Sequence, residues 1–98
     1  MTMSGAEKIR LDIWLWRARF YKTRALAAKA ITKKRFRLQR GSQILRLTKA
    51  HNTVMPGDQL IFVRGERLYE IEIVDLGHRR GPAVEAKRLY QPIHQADE

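Results

Sequence analysis

Between Lys22 and Arg37 the sequence "KTRALAAKAITKKRFR" sets cations at positions 22, 24, 29, 33, 34, 35 and 37, with Thr23 just ahead of an alanine-rich run. Side chains of this type at this density do one kind of chemistry well. They neutralise phosphate oxygens and displace the counterions that a nucleic acid holds. If the stretch is helical, Lys29 and Lys33 lie four residues apart on one face. Arg24 then falls near the helix start, where the dipole disfavours a cation unless an anion is also present, whereas Lys33 and Lys34 suit the opposite end. Basic side chains beside the free N–H groups of a helix start favour phosphate.

Catalysis needs a constellation, and the sequence supplies none. His51, His78 and His94 are far apart and lack metal-ligand spacing. Asp12 sits where the first turn of a helix would be, near arginines 10, 17, 19 and 24, and reads as a structural carboxylate rather than a general base. There is no glycine-rich phosphate loop and no nucleophile elbow. No enzyme, metal or cofactor is expected.

The charge distribution supports the same reading. The chain of 98 residues carries a net charge of +10, and the excess is segregated. Met1 to Gly57 holds fourteen basic and two acidic residues, whereas Asp58 to Glu98 holds six basic and eight acidic. Such crowding of one sign raises self-repulsion, which a polyanionic partner relieves. The absence of cysteine leaves hydrophobic burial to hold the fold and fits a cytoplasmic setting. No apolar run reaches signal-peptide or membrane-span length, so export and a membrane role are not expected.

The elements that must position the cations follow from periodicity. Leu11, Trp14, Leu15 and Ala18 fall at helical spacing and predict a first helix with its stripe in the core. Trp16 lies off that stripe and reads either as packing or as a platform for a base. Of Phe20 and Tyr21, one must lie nearer solvent. Thr23 is a candidate N-cap for a second helix reaching about Lys34, with Leu26, Ala27, Ala30 and Ile31 as its buried stripe. Phe36 and Leu38 then alternate with Arg35, Arg37 and Gln39, a strand with a basic outer face. Turns are expected at "QRGS" and "MPGD". Between them, "QILRLTKAHNTV" is ambiguous between strand and loop. "QLIFV" and "RLYEIEIVDL" predict a hairpin, and "RRGPAVEAKRLYQ" returns to a helical pattern with Ala83, Ala86, Leu89 and Tyr90 on one side. The fold class expected is α+β, with two packed N-terminal helices on a small, mostly antiparallel sheet and a short C-terminal helix.

"RLDIWLWRARFYKTRALAAKAI" with the basic strand that follows resembles the S4 RNA-binding domain, and most closely the ribosome-associated fifteen-kilodalton heat-shock protein family. The residues that carry the resemblance are Arg10, Leu11, Asp12, Trp14, Leu15, Trp16, Phe20, Lys22, Thr23, Arg24, Ala27, Ala28, Lys29 and Ala30, joined by "RRGPAVEAKRLY" from Arg79 to Tyr90. The resemblance implies the helix pair on a sheet called the αL motif. It also implies an RNA surface of Arg10, Lys22, Thr23, Arg24, Lys29, Lys33, Lys34, Arg35 and Arg37. Residues 1–8 are then a flexible tail, 9–76 the S4-like domain, and 77–98 an extension with a short helix. The partner implied is structured RNA, ribosomal RNA or the large ribosomal subunit, engaged by a monomer in a heat-shock or stalled-ribosome role. An RNA-modifying complex that uses the chain as an accessory, and DNA as a general partner, are the alternatives.

Overall fold

The computed structural model describes residues 7–34 and 36–93, so Arg35, His94 and most of the expected N-terminal tail lie outside the described residues. A short strand β1 (Ile9–Arg10) leads into α1 (Leu11–Arg17), whose Leu11, Trp14 and Leu15 are fully buried. The helix stops without a glycine. Arg19 takes φ 66°, Arg19 N–H donates to Trp16 O at 3.1 Å, and Phe20 N–H reaches back to Leu15 O at 3.0 Å. This is the paired hydrogen-bond ending that usually places glycine in the left-handed position, and it turns Phe20 into the core. Phe20 is buried and Tyr21 half-buried, which settles which of the two lies nearer solvent.

Thr23 is the N-cap of α2 (Arg24–Lys33), its hydroxyl oxygen accepting from Leu26 N–H at 3.0 Å. Ala27 and Ile31 are buried and Ala30 half-buried, so the small residues do let the helix sit close to its neighbours. Leu26 departs from the expected stripe: it is 48% exposed. With Ala27 and Ile31 facing inward, a residue one position away is rotated by about 100° onto the helix shoulder.

The remaining chain forms an antiparallel sheet in the order β3-β2-β5-β6-β7, comprising β2 (Phe36–Arg40), β3 (Gln43–Leu47), β5 (Gln59–Arg64), β6 (Arg67–Ile73) and β7 (Tyr90–Pro92). The β2–β3 and β5–β6 turns are two residues long and begin with Gly41 (φ 60°) and Gly65 (φ 65°), a conformation that other L-residues resist. The ambiguous segment resolves into β3 and a second short strand, β4 (Thr53–Val54), which pairs with β1 as Ile9↔Val54 and Arg10↔Thr53. The same loop holds the start of α1, with Leu11 N–H donating to Asn52 O at 2.7 Å.

The C-terminal segment is less helical than its pattern suggested. One turn of helix, α3 (Ala83–Ala86), passes into a 3-10 turn at Lys87–Leu89, and Tyr90 opens β7 instead of extending the helix. Ala86 and Leu89 are buried as expected, but Ala83 is exposed. Extending the chain from Tyr90 lets it pair with β6, which would otherwise be a bare edge, and lays the Tyr90 ring against Phe20 at 4.8 Å.

One core lies between the helix pair and the inward rows of the sheet, built on Trp14, Phe20, Ile31, Phe36, Leu38, Leu60, Phe62 and Ile73. Three side chains of the α1 region tie it to the segment after β6. Trp14 Nε1 donates to Asp75 O at 2.9 Å, Arg17 Nη1 to Gly77 O at 2.7 Å, and Arg19 Nε to Gly81 O at 2.6 Å.

Candidate nucleic-acid interface

Which cations are available to a partner depends on what each already touches. Among the described residues, five arginines are engaged by backbone carbonyls or carboxylates. Arg17 and Arg19 donate to backbone carbonyls, Arg10 forks onto Asp12 at 3.0 and 2.8 Å, Arg40 onto Asp58 at 2.9 and 2.8 Å, and Arg79 onto Glu85 at 3.1 and 2.7 Å. Arg10, Arg40 and Arg79 are accordingly held in the charged form more firmly than a free arginine, chiefly by these hydrogen bonds. Asp12 is buried and also accepts from Ile13 N–H at 2.9 Å, the structural role its place in the first turn suggested.

The cations of α2 are a different population. Lys22, Arg24, Lys29, Lys33, Lys34 and Arg37 are all exposed, and none forms an ion pair among the described residues. Lys29 and Lys33 form an outward ridge four residues apart, opposite the Ala27–Ile31 stripe, with exposed Leu26 at its edge. Lys34 caps the helix in extended conformation, its N–H donating to Ala30 O at 2.7 Å. Lys22, Thr23 and Arg24 stand at the opposite end. The Thr23 hydroxyl oxygen is occupied as the cap acceptor, which leaves its O–H to donate outward.

Arg37 belongs to another face. In β2, Phe36 and Leu38 point into the core beneath the helices, so Arg37 points out of the far side of the sheet. There it pairs directly with Arg46 of β3, also exposed, a residue that sequence reasoning missed because its segment could not be assigned to a strand. The predicted residues therefore fall into an α2 set and a sheet-face set, while Arg10 is occupied by Asp12. Trp16 is half-buried on α1.

No group of three or more metal-ligating side chains occurs among the described residues, and no described helix is long and apolar enough to cross a membrane.

The fold and its surface define a class: a small α+β module in which an unneutralised basic helix is packed, with its partner helix, on an antiparallel sheet. No protein-family model matches the chain. Individual proteins do. It is 38% identical to heat shock protein 15 of Escherichia coli over 100 residues, covering all of this chain and 70% of that protein. A heat shock protein 15 homologue of Haemophilus influenzae is 42% identical over 89 residues; the match covers 88% of this chain and 63% of the relative's length. The trimeric structure of Vibrio cholerae heat shock protein 15 superimposes with a TM-score of 0.70 at 33% identity, over 89% of this chain and 83% of that one. The chain belongs to the heat shock protein 15 family.

Proposed function

We propose that the chain is a non-enzymatic binder of structured RNA and that its target is ribosomal RNA of the large subunit, in a heat-shock or stalled-ribosome recycling role. The observation that carries the reading is the α2 set: five lysines and arginines from Lys22 to Lys34, all exposed and none paired with a carboxylate among the described residues. Left alone these charges repel one another; a phosphate backbone neutralises them and releases counterions. Lys29 and Lys33 contact phosphates on one line of the helix, while Lys22, the Thr23 O–H and Arg24 fix a bend of the backbone at its start. Such contacts read the shape of an RNA rather than its sequence. The resemblance to the S4 domain supports RNA over DNA, and membership of the heat shock protein 15 family supports the heat-shock setting.

Sedimentation of the tagged chain with ribosomal subunits, with and without peptidyl-tRNA, tests the reading. Co-sedimentation with the large subunit, strengthened by peptidyl-tRNA, is expected. Recovery with an RNA-modifying enzyme instead, or equal affinity for duplex DNA, would displace the ribosome as the target. The same runs report assembly. A monomer sediments as 11.5 kDa, whereas the Vibrio cholerae relative was solved as a trimer.

A further inference from the structure

A second basic feature lies apart from the α2 ridge. An open cleft of about 720 Å³ occupies the helix side of the β5–β6 hairpin, between Arg19 and Phe20, the hairpin residues Arg64, Arg67 and Tyr69, and Lys87 of the C-terminal turn. Its lining residues include four basic ones and one acidic, Glu70. Strand alternation explains the placing. Arg64 and Arg67 close the ladder in the same inward rows as Phe62 and Tyr69, yet both are exposed at the hairpin tip.

The aromatic rings beneath them are ordered. Phe36, Phe62 and Tyr69 stack across three neighbouring strands, with centroids 4.8 and 5.3 Å apart and planes within 13° and 16° of parallel. The guanidinium carbons of Arg64 and Arg67 lie 5.5 and 5.2 Å from the Tyr69 ring centre, and Arg64 Nη2 donates to the Tyr69 hydroxyl at 3.0 Å. Neither arginine forms an ion pair among the described residues. The ring's quadrupole attracts each cation, and two guanidiniums gathered on one ring favour an anion beside them. Guanidinium planes and aromatic faces are also what unpaired bases stack on.

The cleft falls within the size range of small-ligand sites. Ala83 and Ala86 give one wall no long side chain, so a flat ring has room. Arg19 is fixed at the rim by its bond to Gly81 O, with its Nη atoms still free to donate. A base-paired helix is convex and keeps its bases stacked inside, so only a splayed nucleotide can bring base and phosphate into such a cleft together. An acidic peptide would answer the charge and leave the stacking platform unused.

We propose that this cleft captures one unpaired RNA nucleotide, its base stacked on the Arg64–Tyr69–Arg67 platform and its phosphate held by Arg19 and Lys87. The inference rests on the RNA-binding reading above and extends it from backbone shape to an exposed base.

The test compares two RNAs of equal length, a blunt duplex and a duplex with an internal unpaired loop, by fluorescence anisotropy with the full chain. The variants are Arg64→Gln/Arg67→Gln and Lys29→Gln/Lys33→Gln, all exposed positions, with folding checked by thermal melting. The hairpin variant is expected to lose about tenfold affinity for the looped RNA and less than about twofold for the duplex. The helix variant should weaken both. Equal losses on the two RNAs, or no loss, in the hairpin variant while the helix variant is weakened overturns the cleft assignment alone. If the unmodified chain binds neither RNA, the RNA-binding reading itself fails. Binding of a glutamate-rich peptide that the hairpin variant abolishes would reassign the cleft to a protein partner. Photocrosslinking of the unmodified chain to 5-iodouridine in the loop is expected at Tyr69, and a crosslink confined to α2 would contradict the proposal.

Discussion

Arg37 and Arg46 stand directly opposite each other across the β2–β3 pair, both exposed, on the side of the sheet turned away from the helices. The other cross-strand neighbour of Arg37 is Ile61, so no carboxylate stands directly opposite it, and Glu70 lies one strand further along the same row. Like charges directly opposite weaken strand pairing by some tenths of a kcal/mol. Arg46→Gln should therefore raise the melting temperature slightly at low salt without RNA, and reduce the extra stabilisation that bound RNA provides. Melting curves with and without RNA check both signs. A variant less stable in the absence of RNA would mean that the pair is not repulsive.

Asp58 is 1% exposed and accepts three hydrogen bonds, two from Arg40 and one from Met55 N–H at 2.9 Å. It joins the turn before β5 to the end of β2. Asp58→Ala leaves Arg40 without its partner and Met55 N–H without an acceptor, and should cost about 3 kcal/mol in urea unfolding. RNA affinity per folded molecule should not fall, because Arg40 is committed to Asp58 in the unmodified protein, and a loss would show that this pair takes part in binding.

Thr23→Ala removes the cap on Leu26 N–H and should destabilise the protein by about 1 kcal/mol. Thr23→Ser keeps the cap oxygen and should restore most of that loss. Ser also keeps the O–H, so it should restore RNA affinity that Ala loses, and an Ala variant with unchanged RNA affinity would contradict the phosphate contact assigned to this hydroxyl.

Glu85 is held below the ordinary glutamate range, first by the hydrogen bond from Arg79 and then by the positive charges of Arg79 and Arg88. A depressed folded-state value means that the pair's contribution is present above the unfolded glutamate value and fades as pH falls through the lower folded one. Side-chain NMR titration should find Glu85 titrating below the ordinary glutamate range. Arg79→Gln should move it back up, and an unmoved midpoint would show that Arg79 is not the cause.

Much of this was legible because periodicity carries burial. Leu11, Trp14, Leu15 and Ala18 were identifiable as a core stripe from spacing alone, and the Thr23 cap and the alternation of Phe36 and Leu38 followed from local chemistry. What was not legible depended on tertiary partners. The stop after α1 uses Arg19 where glycine is the usual signal, and the cost of its φ is met by a tether to Gly81, sixty-two residues away. Tyr90 fits a helical stripe by spacing, yet the open edge of β6 draws it into a strand. Arg46 could not be matched to Arg37 until the register was known, and Arg10 and Lys22 look alike in sequence although only Arg10 has a carboxylate beside it.

The salt dependence of RNA binding tests phosphate neutralisation by α2 most directly. With about five phosphates contacted, log affinity against log salt should fall with a slope of roughly −4, and Lys29→Gln/Lys33→Gln should flatten it by about 2 while leaving the melting temperature nearly unchanged. An affinity independent of salt, or a slope that the two substitutions leave untouched, would contradict the assignment of this helix to RNA.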